Sequence, residues 1–548
     1  MQRILANGIA MRIAITLVVV IGGVSAAHAA GRPMDLCRAL RDLQSGRVDL
    51  PPSTNEFVGH IASLEYLRNV APDELKPDFA KIINTLAAAR DARAGAGLSA
   101  LAAFQGLTDP ALAGAEGRIA AYAADHCRSR FYGDPSWAVS PPTGPTSACA
   151  EWRAGSPLLN NRFPYLLDVS AANYFSLVFR TTSLQIPIPG AIVVPDGGRV
   201  ELKGEYPDAR YFAFHPNDIS TNNLPTLRDV DLDPDPGSKN PWREPVAPGE
   251  PRRYTAVLDF GPRPPIPAQN TSYVGTAKDG TPNPFVTMLL RTYGSFLGAL
   301  PPNSSGVALP SITVYDAGGA VVQQIPECEP YPAGFSFPVD GTKFPSFPVP
   351  DHRTLALAGK LTRGTNFGLS IDVLANADVF YMNTYFRRGV ARQSRKVFVV
   401  RARKPTTTNP APGETRDDPS KQVRLFTICS YNFWNGIAND CKSDADVVTD
   451  ASGDYTVVVS APEDRPGNAN TANGITWMSW GPFLDGFLNW RFVFKDDPLP
   501  LAMGEALDTG VTPPEVAPYM PQTAHCPPTV FEKRGVEGCF DWSARRFR

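Results

Sequence analysis

The sequence of 548 residues is short of histidine, of charge imbalance and of long apolar runs, and each shortage removes a class of function. Six histidines occur, and one of them, His28, lies in the first thirty residues. No His-x3-His or Cys-x2-Cys spacing is present, so a zinc site of the usual kind is not expected. G-x-S-x-G and G-x-x-x-x-G-K-[ST] are both missing, which removes the nucleophile elbow and the phosphate loop. A Ser-His-Asp triad could still be assembled by the fold, because triads need geometry and not adjacency. Lys and Arg number 52 against 54 Asp and Glu. That balance makes nucleic acid an unexpected partner. Beyond the N-terminus no segment is apolar over the ~20 residues that a membrane helix needs.

What is abundant is proline. There are 55 prolines and 45 glycines, together 100 of 548 residues. Proline costs about 3 kcal/mol in a helix interior, so the chain cannot be mainly helical. No G-X-Y period exists, which excludes collagen. The hydrophobic fraction of 43% can fill real cores, and the length implies several domains.

The first residues read as an address. Arg3 and Arg12 supply positive charge, Ile13 to Val24 is mostly apolar, and Ala27-His28-Ala29 is a small-x-small cleavage site. Residues 1–29 are therefore expected to be a secretory signal peptide, with the mature chain periplasmic or secreted and without a transmembrane segment. The cysteines agree with export. Eight lie outside the signal, an even number. Eight cysteines allow 105 pairings. Position favours Cys37 with Cys127, Cys429 with Cys441 and Cys526 with Cys539. Cys149 and Cys328 then pair by elimination.

Residues 34–130 read as a helical module. Ile61, Leu64, Leu67 and Val70 share one helix face, as do Phe79, Ile82, Ile83 and Leu86. Pro77 suits the first turn of a helix. Residues 131–150 form a proline-rich linker. Beyond it the period becomes two, with strands expected at 198–204, 209–215, 253–260, 285–293, 311–316, 396–403, 422–431, 454–460, 475–480 and 489–495. The expected fold class is mainly β with an N-terminal α module. Two antiparallel β-sandwich or jelly-roll-like domains would cover 150–325 and 330–500, followed by a Pro-rich, disulfide-closed tail over 501–548.

An internal repeat supports the two domains. Ala209-Arg210-Tyr211-Phe212 is echoed by Val423-Arg424-Leu425-Phe426, and Tyr254-Thr255-Ala256-Val257 by Tyr455-Thr456-Val457-Val458. An Arg-bearing strand follows each, with Arg291 lying 37 positions after Tyr254 and Arg491 lying 36 after Tyr455. The second domain thus reads as a repeat of the first.

The second copy also resembles a known group. Arg424-Leu425-Phe426-Thr427, Gly453 to Val459, Ile475 to Pro482 and the aromatic strand at 490–494 are similar to the bacterial domain-of-unknown-function families 1254 and 1214. Their Asn-Trp-Leu-Pro stretch is here Thr476-Trp477-Met478-Ser479. The resemblance implies two β-rich domains in an exported protein. It brings no catalytic residue with it.

Three clusters carry candidate chemistry. Arg210 to Asp218 places Tyr211, Ala213 and His215 on one strand face, before a Pro-Asn-Asp turn. If the protein is an enzyme, His215 and Asp218 could act as base and acid. Asp229, Asp231, Asp233 and Asp235 alternate along a loop, and Asp231, Asp233 and Asp235 could hold Ca2+, although the EF-hand pattern fails. No other cofactor is expected. Tyr431, Trp434, Trp477 and Trp480 crowd the second β domain and, with Tyr211, are candidate ligand-stacking rings. Trp477 and Ser479 share one strand face, Met478 and Trp480 the other. The expectation is an exported, non-catalytic binding or envelope-associated protein, whose partner is a small molecule, a glycan or an envelope component. The alternative is a secreted hydrolase or lyase acting on a carbohydrate or ester.

Overall fold

The structure, a computed structural model, describes residues 35–44, 58–93, 110–127, 152–154, 172–185, 188, 190–218, 222–295, 306–328, 359–364, 375–387, 396–410, 413–432, 438–481 and 485–546. The expected signal peptide and the 131–150 linker lie outside these residues. The chain is mainly β, with helices at its N-terminal end. Among the described residues no helix is long and apolar enough to cross a membrane.

The N-terminal helices are α1 (Leu36–Gln44), α2 (Val58–Val70), α3 (Lys76–Arg93) and α4 (Pro110–Cys127). Their apolar stripes close one core of Leu36, Leu40, Leu64, Leu67, Phe79, Ile82, Leu86, Leu112 and Ile119. Pro77 sits in the first turn of α3, where no helical N–H is lost. The Cys37–Cys127 disulfide ties α1 to the end of α4 across 90 residues. Closing so long a loop restricts the unfolded chain, by about 4–5 kcal/mol in the chain-entropy account.

Among the described residues, eleven strands follow in the first β half. They are β1 (Arg153–Ala154), β2 (Ala172–Thr181), β3 (Ile192–Val194), β4 (Arg199–Glu205), β5 (Ala209–Asn217), β6 (Leu227–Arg228), β7 (Arg253–Asp259), β8 (Thr271–Tyr273), β9 (Phe285–Ser295), β10 (Ser311–Tyr315) and β11 (Val321–Ile325). The second half has β12 (Leu361–Arg363), β13 (Val379–Arg387), β14 (Val397–Arg403), β15 (Leu425–Asn432), β16 (Ala438–Ser443), β17 (Asp454–Ser460), β18 (Ile475–Ser479), β19 (Asp485–Val493), α5 (Pro498–Thr509), β20 (Gln522–Cys526) and α6 (Pro528–Arg546).

These strands make four sheets. In the first half one sheet runs β1-β2-β9-β5-β6, with β3 also beside β2, and the other runs β11-β10-β4-β7-β8. In the second half the orders are β12-β13-β19-β15-β16 and β18-β17-β14-β20. The path β2-β9-β5-β6 therefore recurs as β13-β19-β15-β16, and β10-β4-β7-β8 recurs as β20-β14-β17-β18. Registers recur too. Ala213 faces Arg291 as Thr427 faces Arg491, and Gly204 faces Tyr254 as Ala402 faces Tyr455. The sheets are not purely antiparallel. β7–β8 and β17–β18 are parallel, at corresponding places, and so is β2–β3. Residues 522–526 of the expected tail are not separate from the fold: they pair with β14 as an edge strand.

The buried clusters show how the sheets stack. Phe212, Phe214, Val200, Leu202 and Tyr254 close the first sandwich. Phe398, Val400, Phe426, Tyr455 and Trp490 close the second. A third cluster, with Tyr211, Tyr293, Tyr381, Leu425, Tyr431 and Phe487, joins the β5 sheet to the β15 sheet. A fourth lies between the β14 sheet and α6. The order is thus outer sheet, inner sheet, inner sheet, outer sheet and helix. This explains the sequence patterns. β4 and β7 each keep one wet face and alternate, whereas all nine residues of β5 are buried.

The Cys429–Cys441 bond joins directly opposed residues of β15 and β16. Cys526–Cys539 ties β20 to α6. Cys328 is also disulfide-bonded, and its expected partner, Cys149, lies outside the described residues.

Candidate functional site

The layer between the two inner sheets differs from the sandwich cores in being polar. Alternation dictates who enters it. From β5, Phe212 and Phe214 turn into the first sandwich, so Tyr211, Ala213 and His215 turn to the second half. The same rule sends Arg291 and Tyr293 of β9, Tyr381 of β13, Leu425 and Tyr431 of β15, and Arg491 of β19 into this layer.

Two arginine–aspartate pairs clamp it, and they are reciprocal. Arg210 of the first half donates two hydrogen bonds to Asp444 of the second, at 2.7 and 2.6 Å. Arg424 of the second half donates to both oxygens of Asp229 of the first, at 2.8 Å each. Arg210 and Arg424 occupy the same place in the repeat. So do their partners: Asp229 N–H donates to Phe212 O and Asp444 N–H to Phe426 O. Each half therefore offers the other the same arginine and the same carboxylate, as the two faces of an isologous dimer do. All four residues are buried. Arg416 adds a third link, to Asp208, which Arg252 also holds.

Close backbone approach completes the clamp. Gly294 on β9 has φ of 63°, and a Cβ there would lie 2.6 Å from Arg210 Nε and 2.9 Å from Leu425 Cδ1. Glycine alone suits both the conformation and the space.

Next to the clamp lies a hydrogen-bonded chain centred on Tyr211. Its hydroxyl is 2.7 Å from His215 Nε2 and donates to Asp378 Oδ2 at 2.7 Å. Asn376 Oδ1 is 3.1 Å away, and Asn376 Nδ2 donates to Tyr293. Asn376 and Asp378 belong to the second half, so the chain spans the two sandwiches. Burial, with Arg291 nearby, holds the His215 imidazole well below its ordinary pKa, so it is neutral. Burial raises the Tyr211 phenol, and the Asp378 charge adds to this. Burial also raises the Asp378 carboxyl, to about 6, against the pull of Tyr211 and Arg228.

Two buried arginines share the layer. Arg491 donates to the Tyr174 hydroxyl at 3.0 Å, to Tyr431 at 2.9 Å and to Asn489 Oδ1 at 3.1 Å. Arg291 lies over the ring of the same Tyr174, 5.4 Å from its centroid.

The structure brings Tyr211 and His215 together but not Asp218. Asp218 accepts from the backbone of Asn222 and of Lys278, and so shapes its own loop. The partner carboxylate of His215 and Tyr211 is instead Asp378, which sequence reasoning missed. No local signal marks it, because it comes from the other half of the chain.

The ring candidates separate. Tyr211, Tyr431 and Trp480 are buried and offer no face to a ligand in solution. Trp480 packs edge-on to Phe386 in the second sandwich. Trp477 is on the opposite strand face, half-buried, with Nε1 donating to Ser460 and with Arg465 over its ring at 4.5 Å. Trp434 lies outside the described residues.

The acidic loop does not converge. Asp231 pairs with Arg228, and Asp233 with Arg243. The Asp235 backbone N–H donates to Arg253 O. Asp229 is taken by Arg424, and among the described residues no group of three acidic, His or Cys side chains could hold a metal. A calcium ion needs six to eight oxygens directed at one point. EDTA is accordingly expected to leave Tm unchanged; a fall in Tm restored by Ca2+ would contradict the ion-pair assignment.

No family model matches the chain, and no curated protein matches it either. Solved structures similar to it include an uncharacterized protein from Burkholderia cenocepacia, 12% identical, with 82% of this chain and 97% of that chain covered and a TM-score of 0.38. A protein from Vibrio parahaemolyticus is also 12% identical, with 67% and 93% covered and a TM-score of 0.32.

Proposed function

We propose that this is an exported, non-catalytic binding or envelope-associated protein, resident in the periplasm or secreted. The observation that carries the reading is the burial of His215. This histidine, placed beside a carboxylate in the inter-sandwich layer, is closed off from solvent and already engaged by Tyr211. A general base must reach the proton it abstracts, within about 3 Å or through one water. The disulfides support export, since such bonds persist in oxidising compartments. The resemblance to the domain-of-unknown-function families 1254 and 1214 points the same way. The partner would be a small molecule, a glycan or another envelope component. Trp477 is the place to look for it, as the half-buried ring among the described candidates.

Glycan and lipid panels screened by thermal shift test this directly. A dose-dependent rise in Tm with one ligand class, reduced in Trp477→Ala, is the expected result. Incubation with aryl glycosides and esters is expected to give no turnover. Turnover that disappears in His215→Asn, with that variant still folded, would replace this reading with the hydrolase alternative.

A further inference from the structure

We propose that His215, Tyr211 and Asp378 form a proton relay between the two sandwiches, in which a proton taken up at His215 Nδ1 ends on the Asp378 carboxylate. Three observations carry it. Tyr211 Oη is 2.7 Å from both His215 Nε2 and Asp378 Oδ2, so the phenol bridges donor and acceptor without a gap. All three side chains are buried, so water does not compete for their protons. The outer imidazole nitrogen, Nδ1, is 3.4 Å from the hydroxyl of Thr226, a half-buried residue on the approach to β6. The His215 end thus abuts half-buried Thr226, and the Asp378 end, 6% exposed, lies in the second half.

With Asp378 ionised, Tyr211 donates to it, and His215 Nε2–H donates to Tyr211 Oη. Nδ1 then carries the lone pair and accepts from Thr226. When a proton arrives at Nδ1, the Nε2–H bond breaks as its proton passes to Tyr211 Oη. The phenol's own proton passes to Asp378 Oδ2. One proton is consumed and no electron moves. Imidazole and phenol are neutral before and after, but the imidazole has changed tautomer and the carboxylate has become a carboxylic acid.

The surrounding charges favour this end state. Burial and Arg291 of β9 oppose a lasting imidazolium. Asp229, beside β6, disfavours the Asp378 carboxylate, while Arg228 of β6 and Lys495 after β19 favour it. Tyr293 of β9 contacts the chain through Asn376. Burial is the largest influence on Asp378 and places its titration at about pH 6. A bond between the sandwiches therefore changes character, from phenol-to-carboxylate to carboxyl-to-phenol, within the range of an acidifying exterior.

Selective 15N-histidine labelling of the full oxidised chain tests the relay. His215, assigned with His215→Gln, is expected to carry its proton on Nε2 at pH 8 and on Nδ1 at pH 5, with a midpoint near 6. Tyr211→Phe interrupts the chain and is expected to hold His215 in one tautomer throughout. If that variant does not fold, Asp378→Asn serves, with the same expected loss of the transition. A single tautomer in the wild type across the range overturns the proposal. So does an imidazolium with both nitrogens protonated at pH 5, or a transition that survives both variants.

Discussion

Replacing Arg424 by methionine is expected to destabilise the protein by about 3–5 kcal/mol, measured by urea unfolding at pH 7. The reason is what remains behind. Asp229 is fully buried, and its carboxylate is held by Arg424 and by the N–H groups of Phe212 and Val230. Without the guanidinium, Asp229 must keep an uncompensated charge or take a proton. Methionine keeps part of the apolar stem of arginine but not the guanidinium, whose Cζ lies 4.3 Å from the centre of the Phe494 ring, so that contact is lost as well. The double variant Arg424→Met/Asp229→Leu removes the stranded charge but leaves the N–H groups of Phe212 and Val230 without their acceptor, so it is expected to regain only part of the loss. Arg210→Met should behave alike through Asp444. A loss below about 1 kcal/mol in Arg424→Met, the range of surface pairs, would mean that the clamp does not hold the halves together.

These pairs show where sequence reading succeeds and where it stops. All ten expected strand segments overlap strands, because they are rich in Val, Phe, Tyr, Ile and Thr and their ends carry Gly, Pro, Asn or Asp. The period-two reading does not find β2 and β13. Ala172–Thr181 and Val379–Arg387 lie in the two inner sheets, where both faces are covered, so they show no clean period of two. The repeat is visible, including Arg210 and Arg424 in matching positions. Their partners are present as well, Asp229 in the stretch that reads as a calcium loop and Asp444 three residues after Cys441. A signal exists: Asp229 lies 19 positions after Arg210, and Asp444 lies 20 after Arg424. Duplicated arginines followed by carboxylates at matched spacing can be read as a reciprocal interface. Asp378 offers no such clue. It has no counterpart in the repeat motifs, and only the stacking of the two inner sheets brings it to Tyr211.

The middle layer also makes stability depend on pH in a direction that can be worked out. Asp378 has a folded pKa of about 6 against 3.8 for the ordinary carboxyl. A raised folded value means that its contribution is fully present below about pH 4 and is lost as pH rises through 6. The difference corresponds to about 3 kcal/mol between pH 4 and pH 8. His215 has the opposite sign. Its folded value is depressed, so its contribution is present above about 6.5 and is lost as pH falls. The two oppose each other in the wild type, and a plain pH–stability curve would hide both. Asp378→Asn separates them. The amide cannot ionise but keeps the size and hydrogen-bonding atoms of the carboxylic acid. The stability of the variant relative to wild type is then expected to rise by about 3 kcal/mol from pH 4 to pH 8, with most of the change between about pH 4 and 6. Because His215 is present in both proteins, its own dependence drops out of the difference unless the two groups titrate as a unit. A variant curve parallel to the wild type would show that Asp378 is already ionised in the folded protein at low pH, and that the inter-sandwich layer is wetter than its packing indicates.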